Sequence, residues 1–309
     1  MKLNGMLYGA NNITCAVMKI EKKEGKNGSV YSAITVADGE TQVDTKMWTA
    51  PEMLNFEAGT VIKAVIEKNV FNDADSYLIK KAEPTDESAD PYFPHAPIDP
   101  KAVTKCILAT IGGMKCDSIR NVTTKVFEDN KEKFERWTAA KKVHHNYLNG
   151  LAYHTGRMLV AAKMLAKVYP KVNTDVLFSA LILHDMAKIR EYDMDVTGAS
   201  TVSVDGNLFG HLVMGAEMVN KAAYDLGIDP EKDEGVKLVK HCILAHHGQL
   251  EYGSPVKPAI KEAMLLHELD MIDAQMWQFE TEEGKLSEGG VSDPVFGLGS
   301  RVYKPMTLG

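Results

Sequence analysis

Over residues 1–84 apolar and polar residues alternate in short runs, and turn dipeptides separate the runs. "TCAVMKIEKKEGKNGSVYSAITVADGETQVDTKMW" contains Lys26-Asn27-Gly28 and Asp38-Gly39; a second pair, "TVIKAVIEKNVF" and "SYLIKKAE", follows Ala58-Gly59 and is joined through Asn72-Asp73. Period-two alternation half-buries a strand, and Asn, Asp and Gly tolerate the positive φ of tight hairpin turns. Several strands in so short a length predict a small closed barrel, with the OB-fold as the best match. The alternation stops at "PTDESADPYFPHAPIDP", rich in proline and acids, which predicts an extended linker over residues 85–100.

From residue 101 the apolar period lengthens to that of a helix. It runs through "YLNGLAYHTGRMLVAAKMLAKVY", "DVLFSALILHDMAKI", "HLVMGAEMVNKAAYDLG", "EGVKLVKHCILAHHG" and "AIKEAMLLHELDMIDAQMW". Between two of these, "TGASTVSVDGNLFGH" predicts a short hairpin or ordered loop turning at Asp205-Gly206, which delivers His211 to the start of the next helix. A helical domain is thus expected over 101–283. Residues 284–309, with several glycines and prolines, are expected to form a tail that packs across a domain. The fold class is multidomain, a small β-barrel followed by an all-α bundle.

Composition narrows the function classes. A chain of 309 residues with 45% hydrophobic and 25% charged residues has the balance of a soluble globular protein with a substantial core. No apolar stretch approaches the ~20 residues of a membrane span, and the N-terminal stretch is too polar for a signal peptide, so the cytoplasm is expected. Cys15, Cys106, Cys116 and Cys242 show neither CxxC spacing nor a disulfide framework. A net charge of -7 argues against a protein that coats nucleic acid nonspecifically. It leaves room for a local basic groove, because only charge near the phosphates matters.

The candidate chemistry lies in the helical region. "LFSALILHDMAKIRE" is as apolar as a helix core yet carries His184 and Asp185 side by side. An ionised carboxylate in low dielectric costs several kcal/mol unless something compensates it, and a metal ion is the leading candidate. His154, His211, His246, His247 and Asp270 also sit in or at the ends of apolar segments. One such histidine is ordinarily a satisfied core residue; this many together suggest coordination. His154, His184, Asp185 and Asp270 would supply imidazole and carboxylate ligands from three helices, as Mn, Fe, Co, Ni or Zn accept. Asp185 has two oxygens and could bridge to a second ion held by His211 with His246 or His247.

This order of residues resembles the HD superfamily of metal-dependent phosphohydrolases. More narrowly, "LNGLAYHT", "LILHDMAKIREY", "GHLVMGAEMV", "AHHGQLEYGSPVKP" and "LHELDMIDAQM" resemble the YhaM-type 3′-5′ exoribonucleases, which join an N-terminal OB-fold to a C-terminal HD domain. The resemblance implies one metal held by His154, His184, Asp185 and Asp270, and a second held by Asp185, His211 and His246. His247 is kept as a supporting or substrate contact. Lys188, the lysine of the HDxxK pattern, would neutralise developing charge on phosphorus or else close the helix face as a surface lysine, with Asp185 as the central catalytic carboxylate. Met186-Ala187 stands where many relatives show Ile-Gly. His267 and Asp273, one turn either side of Asp270, are expected to orient a ligand or to be solvated surface. Tyr252 and Ser254 are candidates to line the nucleotide pocket, or they form a structural turn. His144 and His145 are more readily ordinary residues than phosphate contacts, and His95 and His241 are assigned no role.

On the barrel, Lys22, Lys23, Lys26, Tyr31, Lys46 and Trp48 could form a single-strand-binding surface, although acids are interleaved with the lysines. The expected activity is removal of nucleotides from the 3′ end of single-stranded RNA, with DNA as an alternative polymer. The rivals are hydrolysis of small or cyclic nucleotides and nonenzymatic strand binding. The native metal and a homo-oligomeric state are left open.

Overall fold

The computed structural model describes residues 1–25, 27–139 and 147–307. The chain divides into two compact units, one of Met1–His95 with Met194–Ala199 and one of Ala96–Asp193 with Ser200–Gly309.

The first unit is a closed five-stranded barrel in the order β1-β2-β3-β5-β4. Strand β1 (Gly9–Glu24) is long enough to pair β4 (Val61–Phe71) through its first half and β2 (Val30–Ala37) through its second. A register shift between Val17 and Lys19 bends it around the corner. β3 (Gln42–Met47) is antiparallel to β2 and meets β5 (Ala74–Pro84) in parallel at Lys46 and Leu78, which closes the barrel. This is the topology expected of an OB-fold. Alternation places Ile13, Cys15, Val17, Ile34, Ile62 and Ile66 inside, each 2% exposed or less, and burial of an isoleucine contributes roughly 1.5–3 kcal/mol. Asn72 (φ 52°) and Asp73 (φ 60°) form the two-residue turn between β4 and β5, the conformation those residue types tolerate best. The linker segment is partly absorbed here: Tyr92 O accepts from Gly39 N at 2.8 Å, and Phe93 is 1% exposed.

The second unit is helical: α1 (Pro100–Gly112), α2 (Asp117–Arg136), α3 (Gly150–Val168), α4 (Thr174–Leu183), α5 (Lys188–Glu191), α6 (Val204–Asp225), α7 (Glu234–Ala245) and α8 (Lys261–Lys285). Side chains of Asp99, Asn173, Ser203 and Asp233 accept from backbone N–H groups at the starts of α1, α4, α6 and α7. The core is continuous, with Phe127, Phe134, Leu151, Leu159, Leu177 and Ile243 among its buried residues. After α8 the chain turns back as bridges Val291–Tyr303 and Val295–Ser300, with Val302 fully buried. Among the described residues no helix is long and apolar enough to cross a membrane.

Two local expectations are corrected. The hairpin is present as β6 (Tyr192–Met194) and β7 (Ser200–Val202), but it does not turn at Asp205-Gly206. Ser203 Oγ accepts from Gly206 N at 2.9 Å and starts α6 there, while Asp195 Oδ1 accepts from Thr197 N at 2.8 Å and shapes the actual turn. The helix expected through "DVLFSALILHDMAKI" stops at Leu183. Residues 184–187 are a succession of tight turns, with Met186 N bonded to Leu183 O and Lys188 N to Asp185 O.

Candidate metal centre

The break after α4 lies where the chemistry is. His184 and Asp185 leave the helix at its buried end, 0% and 2% exposed. Around them converge His154 from α3, His211 from α6, His246 and His247 from the end of α7, and Asp270 from α8. Gly210 (φ 68°, ψ 161°) interrupts α6 one residue before His211, so His211 does begin a new helical stretch.

Each of the five imidazoles has its Nδ1 engaged, and the Nε2 atoms of His154, His184, His211 and His246 turn inward. His184 Nδ1 donates to Leu181 O, and His246 Nδ1 to Ile243 O, both at 2.7 Å. His247 Nδ1 donates to Tyr252 O at 2.8 Å. His154 Nδ1 is 2.7 Å from Asp273 Oδ2, and His211 Nδ1 is 3.0 Å from both Glu191 oxygens. A carbonyl or carboxylate only accepts, so these contacts put a proton on each Nδ1 and leave Nε2 as the nitrogen through which a metal would bind.

The Nε2 atoms of His154 and His184 face each other at 3.3 Å, and His154 Nε2 is 3.2 Å from Asp270 Oδ1 and 3.6 Å from Asp185 Oδ2. On the other side, Asp185 Oδ1 lies 3.5 Å from His211 Nε2 and 3.8 Å from His246 Nε2. Asp185 Oδ1, His211 Nε2 and His246 Nε2 are buried with no hydrogen-bond partner among the described residues. Unsatisfied buried polar atoms are costly, and three aimed at one place fit a divalent cation. Potential ligand atoms of His154, His184 and Asp185 lie within 4.8 Å of one another, as do those of His211, His246 and His247.

Electrostatics agree. Burial opposes ionisation of Asp185, yet Lys188, His184 and His211 outweigh it and hold the carboxyl well below its usual range. Burial likewise opposes the charged form of His154, but Asp270 and Asp273 reverse this and raise it to about 9. His246 is pushed well below the ordinary imidazole range, first by burial and then by His184 and His247.

The HD domain family model matches residues 151–275. Over 286 residues the chain is 32% identical to the 3′-5′ exoribonuclease YhaM of Bacillus velezensis and to that of Bacillus subtilis, covering 90% of both partners in each comparison. It is 31% identical to the 3′-5′ exoribonuclease YhaM of Listeria monocytogenes over 92% of both chains. The chain belongs to the YhaM family of exoribonucleases.

In this YhaM-family chain the remaining candidates fall into place unevenly. Lys188 Nζ donates to Asp185 Oδ2 at 2.7 Å while 7% exposed, so its first contact is the central carboxylate. Asp273 is buried and bonded to His154, and Arg157 Nε holds its other oxygen at 2.7 Å. His267 Nδ1 donates to His246 O at 2.9 Å. Its ring occupies the space a Cβ on Gly248 would fill, 2.3 Å away, so the left-handed Gly248 (φ 78°) lets His267 brace the histidine pair. Tyr252 is 60% exposed, and its carbonyl rather than its ring meets His247. Ser254 Oγ is buried without a hydrogen-bond partner among the described residues. His241 Nε2 accepts from Ala259 N, and His95 Nε2 is 2.6 Å from Asp90 O. His144 and His145 lie outside the described residues.

Sequence reading missed Glu191 and Arg157. Glu191 grips His211 through both Nδ1 and backbone N, and its only signal was an acid closing the apolar run "MAKIRE". On the barrel, Lys22 pairs Glu52 at 2.5 Å and Lys23 pairs Glu21 at 3.3 Å, whereas Tyr31, Lys46 and Trp48 lie together. Lys26 lies outside the described residues.

Proposed function

We infer that this protein is a metal-dependent 3′-5′ exoribonuclease that acts on single-stranded RNA. The observation that carries the chemistry is the set of unpartnered buried atoms, Asp185 Oδ1, His211 Nε2 and His246 Nε2, facing one another beside His154, His184 and Asp270. His154, His184, Asp185 and Asp270 would hold one ion, and Asp185, His211 and His246 a second; the two oxygens of Asp185 facing two sets of imidazoles support this division. His247, whose ring packs against those of His211 and His246, joins the second set or meets the substrate. Divalent ions there supply an acidified water and counter-charge for the phosphoryl oxygens; Mn, Co, Fe and Ni all suit the donors.

The chain's own residues prepare that site. Lys188 keeps Asp185 ionised and adds positive charge where the phosphodiester's negative charge develops. Asp273 and Glu191 fix the rings of His154 and His211, and His267 fixes the backbone that carries His246 and His247. Single-stranded DNA is a second polymer compatible with the same chemistry, and the cytoplasm is the compartment this reading assigns. Val160, Met164 and Val168 of α3 and Ile272 and Met276 of α8 are exposed on packed helices, which supports self-association.

A 5′-labelled single-stranded RNA incubated with the protein and Mn²⁺, beside a chelated control and Asp185→Ala, tests the assignment. A ladder shortening from the 3′ end and absent from both controls is expected. Intact RNA in the presence of bound metal would overturn the exonuclease and turn attention to small nucleotides.

A further inference from the structure

His154 is held on both ring nitrogens by one helix. Asp270 Oδ1 of α8 lies 3.2 Å from its Nε2, and Asp273 Oδ2, one turn further along α8, lies 2.7 Å from its Nδ1. The second oxygen of Asp273 meets Arg157, one turn beyond His154 on α3, whose Nε donates to it at 2.7 Å. The rest of the guanidinium is engaged as well. Nη1 donates to Glu280 Oε2 at 3.0 Å and to the Tyr153 hydroxyl at 3.2 Å, and Cζ lies 5.3 Å from the centre of the Tyr153 ring. A line of contacts therefore runs from Glu280 through Arg157 and Asp273 to His154. Side-chain exposure falls along it from 53% to 27%, 6% and 0%, so the line leads from water to the metal centre.

The physical need for the inner link is plain. A carboxylate bonded through one oxygen still turns about its last torsion, because sp³–sp² torsions have broad minima. A hydrogen bond to Asp273 Oδ2 alone would leave the plane of the His154 ring loosely set. Arg157 Nε on Oδ1 removes that freedom, and its charge compensates a carboxylate that is buried. Guanidinium suits the task because its donors diverge within a rigid plane, so that Nε faces Asp273 while Nη1 faces Glu280. An ammonium has one nitrogen and cannot reproduce that fork.

We propose that Arg157 is a positioning residue of the metal centre, acting through Asp273 to fix the orientation of His154, with Glu280 and Tyr153 anchoring the guanidinium. The inference deepens the metal-dependent reading and rests on it. Among the described residues the hydrogen bonds of Arg157 go to Asp273, Glu280 and Tyr153 and to none of the proposed ligands, so its effect on the centre passes through Asp273.

The test is calorimetric titration of the full-length, metal-stripped protein with Mn²⁺. Arg157→Met is expected to weaken binding about tenfold, the lower end of the effect of removing an outer partner of a metal-binding histidine. Arg157→Lys, which keeps the charge and loses the fork, should recover only part of that loss. In an Asp273→Asn background, adding Arg157→Met should cost less than about twofold, because the residue through which it acts is already lost. The visible spectrum of the Co²⁺ form, which reads ligand geometry, should shift in Arg157→Met and in Asp273→Asn alike. Glu280→Gln, at the water-facing end, disturbs no buried group and should weaken Mn²⁺ binding about two- to fivefold; it decides the matter with Arg157→Lys if Arg157→Met does not fold. Unchanged affinity in these variants, an unshifted Co²⁺ spectrum, or an equal loss with and without Asp273 would overturn the proposal. Cleavage of 5′-labelled RNA by the unaltered protein separates the two readings. RNA left intact while Arg157→Met still weakens Mn²⁺ binding removes the exonuclease and leaves the positioning role; RNA shortened from its 3′ end with Mn²⁺ affinity unchanged in Arg157→Met removes the positioning role alone.

Discussion

Lys22 and Glu52 of the barrel meet at 2.5 Å with more than half of each side chain in water, whereas Lys188 and Asp185 of the helical unit meet at 2.7 Å with 8% and 3% of theirs exposed. The distances are similar and the energetics are not. In water a pair loses little when broken and contributes about 0–1 kcal/mol when made. In the core, each ion has given up several kcal/mol of hydration, so an incomplete set of partners there means that something else completes it. Asp185 is such a case: Lys188 takes one oxygen while the other, without a hydrogen-bond partner among the described residues, faces His211 and His246.

Four experiments press on this contrast. The largest effect is expected from Asp185→Asn, which keeps the shape and removes the charge: RNA cleavage should vanish and Mn²⁺ binding by calorimetry should fall beyond detection. Retained metal binding would show that Asp185 is not the central ligand. Next come Asp273→Asn and Glu191→Gln, each expected to weaken metal binding about 10- to 100-fold with folding preserved by circular dichroism. An unchanged affinity in either would mean that the paired histidine needs no orientation.

Acidity gives a third handle. His154 is raised from 6.5 to about 9 in the metal-free protein, so at neutral pH a metal must displace its proton. Apparent affinity should then climb by up to about tenfold per pH unit from pH 7 and level off near 9. The stability linkage has the opposite sign: a raised folded pKa stabilises below 6.5, and that contribution is lost as pH rises through about 9. Melting of the chelated protein should therefore fall across this window, and a flat profile would remove His154 as the protonated group. The smallest effect belongs to the barrel, where Glu52→Ala should leave the urea unfolding midpoint essentially unchanged, because its pair with Lys22 stands in water. A lowered midpoint would break the contrast between exposed and buried pairs.

Much of this architecture was legible in local pattern. Alternation through residues 9–84 announced the strands because one face of each had to be buried, and Asn72-Asp73 announced its turn because few other residues accept two successive positive φ values. Asp205-Gly206 misled because a turn dipeptide also suits a helix start once Ser203 caps it. The helix through His184 misled because apolar periodicity does not register the tight turns at 184–187 that carry His184 and Asp185 toward the other histidines.

By itself the sequence determined that a charge would be buried at Asp185 and that histidines and acids would be carried on apolar helices, since hydrophobic spacing decides which face goes inward. It did not determine which atoms meet. Asp273 reaches His154 across 119 positions of chain, and Glu191 reaches His211 across a hairpin. Likewise Lys46 meets the ring of Phe71 across the barrel closure, where β3 lies beside β5. Hydrogen bonds and ring contacts act over a few ångströms and are indifferent to sequence separation, so their partners are chosen only when the chain has folded.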